Sequence, residues 1–194
     1  MKNQLKNLKT HLSCSLIAAA MIAPVCAQMD TTTMPASDKN GMANEKGNRK
    51  SSLSNDDKQF LMKAGMGGML DVKVSKLAQE KGTSAEVKEF AEMMVKDHSK
   101  ANAELMTLAS SKGVTLPADL DAKHASKYEG MTKMSGADFD KNYIKDMLAD
   151  HEKTIALFEG EAKKGDDAEV KAFAAKTLPT LNAHLEHVRK LSGK

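Results

Sequence analysis

After Ser54 the apolar residues of this chain recur at three- and four-residue steps, and they keep that spacing to Leu191. A sequence held to the helical period over such a length buries its apolar face by packing helices together. The interruptions place the ends. Ser54-Asn55-Asp56-Asp57 reads as a helix start and Gly82 as its stop. Thr83-Ser84-Ala85-Glu86 has capping-box spacing and opens a second helix that runs to about Lys112, before Gly113. Val114 to Leu120, with Pro117, reads as a loop, and a short helix over about Asp121 to Met134 follows. Ser135-Gly136-Ala137-Asp138 resembles another cap, for a helix that ends at Lys164 before Gly165. Asp166 or Asp167 starts a last helix that reaches about Leu191. Four long helices and one short connector predict an all-α, antiparallel four-helix bundle over residues 55–192. Aromatic residues at 4%, with no Trp, exclude an aromatic-rich sandwich or barrel.

The region before the bundle has two parts. Lys2, Lys6 and Lys9 precede an apolar run from Leu12 to Val25, and Val25-Cys26-Ala27 follows as a small-residue end. That order predicts a secretory signal peptide over residues 1–27. The apolar run falls short of the roughly 20 residues needed to span a bilayer. The three lysines account for the whole formal charge of +3, so the remaining chain carries as many basic as acidic residues. Such a balance argues against nucleic acid as a partner. Both cysteines, Cys14 and Cys26, fall in the signal, which leaves no disulfide, thiolate ligand or cysteine nucleophile. Residues 28–54 are rich in Met, Thr, Ser, Asn and Gly and read as a flexible linker. No later segment is apolar enough to cross a membrane. The expected location is therefore periplasmic or secreted, with an envelope protein or a second copy as the candidate partner.

An internal echo runs through the bundle region. Ala85-Glu86-Val87-Lys88-Glu89-Phe90-Ala91 returns 83 residues later as Ala168-Glu169-Val170-Lys171-Ala172-Phe173-Ala174, and the same offset carries Gly82 to Gly165 and Phe60 to Tyr143. Two helical hairpins joined by a crossover would produce this pattern.

Each long helix also places one metal-competent residue on its apolar stripe. These are Asp71 in the first, His98 in the second, His151 in the third long helix and His184 in the last. Counted from the nearest inter-helix glycine, at about 1.5 Å per residue, Asp71 and His98 differ in height by roughly 7.5 Å, as do His151 and His184. All four fall near mid-bundle. Three histidines and a carboxylate suit iron, copper, zinc or manganese. A core histidine can equally bond a carbonyl or an acid and bind nothing. Positions 95, 148 and 181 hold Val, Leu and Leu, so no Glu stands three residues before any of the three histidines. This argues against a di-iron ferroxidase.

Other motifs carry less chemistry. His184 and His187 form a one-turn pair with Glu186 between them, and Asp121 stands three before His124. Met62, Met66 and Met69 share a helix face that Met93 and Met94 would meet, a thioether set that suits reduced copper or simply fills a core. Gly65-Met66-Gly67-Gly68 lies mid-helix, where small residues permit close helix approach. Pro179 interrupts the last helix one turn before His184 and is expected to kink it.

The stretches Val95-Lys96-Asp97-His98-Ser99-Lys100-Ala101-Asn102, Ala149-Asp150-His151-Glu152-Lys153 and Phe173-Ala174-Ala175-Lys176-Thr177-Leu178-Pro179-Thr180-Leu181 resemble a large bacterial family of unknown function, DUF4142. Its members are secreted, often labelled predicted outer membrane proteins, and grouped with ferritin-like bundles. The likeness covers roughly Asp56 to Leu191. It implies the ferritin-like fold and an exported location, and supplies no activity. Relatives often carry Glu near position 71, where Asp71 is one methylene shorter. The leading expectation is a non-enzymatic, exported, stress-related bundle that binds a transition metal through Asp71, His98, His151 and His184. The alternatives are a metal-dependent redox enzyme using that site, and a structural or partner-binding bundle with core histidines.

Overall fold

The computed structural model describes residues 53–193. Five helices form among them: α1 (Asn55–Lys81), α2 (Ala85–Ser111), α3 (Ala122–Thr132), α4 (Gly136–Lys164) and α5 (Ala168–Leu191). The signal segment and the linker up to residue 52 lie outside the described residues. Leu53 is buried and Ser54 caps α1, so the folded unit takes in both residues ahead of Asn55.

Helix ends follow local chemistry. The Ser54 hydroxyl accepts from Asp57 N at 3.1 Å, and the Asp167 carboxylate accepts from Glu169 N and Val170 N. Two expected caps differ from the pattern. At α2 the cap is Ser84, whose hydroxyl takes Val87 N, because Thr83 is bound to Asp140 of another helix. At α4, Ser135 makes no side-chain cap bond, and Gly136 takes a left-handed φ of 62°, a conformation glycine supplies without steric cost. Pro179 lies inside α5, which continues as one helix to Leu191 while losing the bond to the Ala175 carbonyl.

The four long helices pack as two hairpins, α1 with α2 and α4 with α5. The hairpins meet along α1 with α4 and α2 with α5, and α3 crosses over against α1 and α4. The apolar stripes close into one core that includes Phe60, Phe90, Met94, Leu105, Phe139, Tyr143, Met147 and Val170. This is a ferritin-like four-helix bundle with a short connecting helix. Among the described residues no helix is long and apolar enough to cross a membrane.

The hairpins brace each other's turns. Asp57, at the start of α1, accepts from Asp166 N and Asp167 N at the start of α5, both at 3.0 Å. Asp140, at the start of α4, accepts from Thr83 N and Ser84 N at the start of α2, at 3.1 and 2.9 Å. Donors and acceptors are both related by the 83-residue offset, so the sequence echo has a structural counterpart. The same bonds set polarity: α1 starts where α4 ends, and neighbouring long helices run antiparallel.

Candidate metal centre

Helices α1, α2, α4 and α5 place Asp71, His98, His151 and His184 at mid-bundle, all four buried. The three histidines form one group, and Asp71 stands outside it beside His98 Nδ1. The three imidazole centroids form a near-regular triangle with sides of 5.6 Å (His98–His151), 5.3 Å (His98–His184) and 5.5 Å (His151–His184). One ring nitrogen from each lies within 4.8 Å of the other two. Among the described residues this is the one group of its kind. The 7.5 Å height differences expected from the backbone close because side chains lean toward their own helix N-terminus. Asp71 and His98 flank the α1–α2 turn on helices of opposite direction, so the nearer one leans away from the turn and the farther one leans toward it. His151 and His184 converge on the α4–α5 side in the same way.

Two of the three imidazoles are held by a hydrogen bond at one nitrogen, and all three have a nitrogen left free. His151 Nδ1 lies 3.0 Å from the Met147 carbonyl oxygen, which can only accept, so Nδ1 donates and Nε2 carries the lone pair. His184 Nε2 donates to the Asp97 carboxylate at 3.0 Å, which leaves Nδ1 as the lone-pair nitrogen. His98 Nδ1 faces Asp71 Oδ2 at 3.6 Å, beyond hydrogen-bond length. The three remaining nitrogens, His98 Nε2, His151 Nε2 and His184 Nδ1, are buried without a hydrogen-bond partner. A histidine tied at one nitrogen by a carboxylate or carbonyl and open at the other is arranged as a metal ligand with its outer partner in place.

Burial also sets the charge. It pushes His98 and His151 down to about 4, the neighbouring Asp97 and Asp71 respectively opposing the shift, and it lowers His184 as well. All three imidazoles are therefore neutral at pH 7, the form that binds metal. Burial pushes the Asp71 carboxyl up to about 6. With His98 neutral, its approach to Asp71 is a contact between near neighbours and not an ion pair. Metal–imidazole bonds of about 2.0–2.1 Å require donor nitrogens about 3.4 Å apart. The 4.8 Å limit on the triad's nitrogens leaves at most about 1.4 Å to close.

Of the other residues marked in the sequence, none joins the group. His187 packs against Phe90, with centroids 5.2 Å apart, and His124 bonds its own cap residue Asp121 at 2.7 Å. Met62 is exposed while Met66 and Met94 are buried, so the methionines do not share one core-facing cluster. Asp97 is the functional neighbour that stripe counting misses, because it stands one residue off the apolar face of α2. A signal was present: Asp-His occurs at both 97–98 and 150–151.

Beside the triad lies a cavity of about 50 Å³, lined at one end by Asp71, Asp97, His98 and His184 and elsewhere by Leu105, Phe158 and Phe173 among others. Gly67 and Gly68 form part of its wall. A side chain at Gly68 would meet Asn102 of α2 at 2.1 Å, as expected for close helix approach, whereas one at Gly65 would meet Leu116 of the α2–α3 loop at 3.2 Å. Gly67 departs from that expectation: a Cβ there meets nothing within 4 Å.

The sequence profile described as a domain of unknown function, DUF4142, matches residues 42–191. No functionally curated protein matches the chain. Among solved structures, a DUF305 fragment from Deinococcus radiodurans is similar at 11% identity and a TM-score of 0.64, covering 73% of this chain and 97% of that one. CopM in its Cu(I)-bound form is similar at 14% identity and a TM-score of 0.58, covering 70% and 94%. The Ag-bound form of CopM gives 15% identity and 0.57, covering 70% and 93%. At these identities the likeness is one of fold. The chain belongs to the DUF4142 family.

Proposed function

We propose that this protein is an exported, non-enzymatic metal-binding bundle that holds one transition-metal ion on His98 Nε2, His151 Nε2 and His184 Nδ1, with Asp71 alongside. The observation that carries the reading is the set of three buried, partnerless lone-pair nitrogens, each on a ring whose other nitrogen faces a carbonyl or a carboxylate. Leaving three such acceptors unsatisfied in a core costs on the order of 1–3 kcal/mol each, and one ion offsets all three.

Three imidazoles in a low-dielectric core suit copper, with zinc and iron behind it and manganese least. Copper is also what CopM carries in the similar Cu(I)-bound structure. The protein works outside the cytoplasm, after removal of residues 1–27. The charged, apolar and small-residue order of that segment supports this, and a mature N-terminus at Gln28 in the periplasmic fraction is the corresponding measurement.

The test is elemental analysis of the tag-free mature chain after exposure to Cu, Zn, Fe and Mn. About one copper per chain is expected, lost in His98→Ala and in His151→Ala. A chain that retains no metal, with a melting temperature no ion moves, would show that the histidines serve packing alone.

A further inference from the structure

We propose that the cavity beside the histidine triad is a binding site for a small neutral ligand of the dioxygen class, bound at the open coordination position of the metal and admitted past Gly67. The proposal rests on the metal reading above.

Three protein ligands leave one position of a tetrahedral ion free. The cavity lies where that position opens, since His98 and His184 are both in its wall. Its volume of about 50 Å³ gives room for roughly two to four heavy atoms. The chemistry of the walls narrows the choice. Asp71 and Asp97 stand on the metal side, so an anion there would face two carboxylates. The remaining wall is mostly apolar, from Ala101, Leu105, Leu157, Phe158, Phe173 and Leu181, although Lys63, Asn102, Thr154, Thr177 and Thr180 also border it, so it favours a weakly hydrated molecule over a strongly hydrated one. A neutral diatomic meets both conditions.

The route in is marked by a residue that packing does not explain. Gly67 sits mid-α1, where glycine disfavours the helix, yet it accommodates no neighbour. It belongs both to the cavity wall and to a surface groove of about 380 Å³ between α1, α3 and α4. Lys63, Lys123, Lys127 and Lys153 line that groove together with His124, Asp150 and Asp71. Its lysines disfavour metal cations while leaving a neutral molecule unhindered. A Cβ at position 67 meets nothing, but a side chain as long as Leu would stand in the passage.

The test loads wild type, Gly67→Ala and Gly67→Leu with Cu(I) and adds carbon monoxide, a neutral diatomic whose infrared stretch reports binding to the ion. Wild type and Gly67→Ala are expected to form one adduct per bound copper, and Gly67→Leu to retain copper but lose the adduct. Copper bound without a carbon monoxide band in wild type would overturn the open position. An adduct in Gly67→Leu that forms as fast as in wild type would overturn the route. Failure of wild type to hold copper at all is a different result, and it removes the metal reading and this one together.

Discussion

Asp97 is next to His98 in sequence but serves His184, and this single contact fixes which nitrogen of His184 is free. Asp97→Asn is expected to leave the bundle folded while weakening metal binding about 10- to 100-fold, as loss of an outer-shell partner does; competition titration of wild type against variant checks it. The Met147 carbonyl does the same for His151, and no sequence reading could find it, because a backbone acceptor has no side-chain signature. The histidines themselves were legible because they fall on apolar stripes, where a polar residue stands out. A second residue-scale effect sits at the far end of α4. Burial pushes the Glu161 carboxyl up to about 7, with the hydrogen bond and charge of Asp57 adding to it. Because its folded value lies above its unfolded one, Glu161 contributes fully at acid pH, and that contribution is lost as pH rises through about 7. Melting curves between pH 5 and 8 should therefore show Glu161→Gln gaining on wild type toward pH 8. A constant difference across that range would mean that Glu161 does not titrate there.

Helix ends show what the sequence encodes locally and what it leaves to partners. Ser54 and Asp167 act as their local pattern requires, since their acceptors meet amides within three residues. The expected cap at Thr83 shifts to Ser84 because Asp140 arrives from α4 and takes the Thr83 amide, a contact across 57 residues. The 83-residue echo hinted at paired hairpins, but only folding reveals that each hairpin supplies an aspartate to the other's turn. Asp140→Ala leaves two backbone amides and a hydroxyl without their acceptor, and is expected to cost about 1–3 kcal/mol in urea denaturation. Metal stoichiometry should not change, since the turn lies at one end of the bundle and the triad in its middle. The glycines in α1 divide by the same test of partners. Gly68 faces Asn102, whereas Gly67 faces open space. Gly67→Ala is accordingly expected to raise stability by up to about 1 kcal/mol, the helix-propensity difference, in the same denaturation assay.

At the scale of the whole molecule, antiparallel order does two jobs at once. It closes four apolar stripes into one core, and it makes side chains on adjacent helices lean toward a common level. Backbone counting placed the four residues near mid-bundle, and that lean turns a loose set into a triangle with sides of 5.3–5.6 Å. On the proposed reading the ion binds only the folded bundle, so copper at 100 times its dissociation constant should stabilise it by about 2.7 kcal/mol, seen as a raised melting temperature that His151→Ala abolishes. The direct test of the central claim is the position of the ion, read from an anomalous difference map of copper-loaded crystals. The account predicts one peak about 2.0–2.1 Å from His98 Nε2, His151 Nε2 and His184 Nδ1. A peak at the methionines of α1 or at the His184–His187 edge, or no peak within reach of the triad, would contradict it.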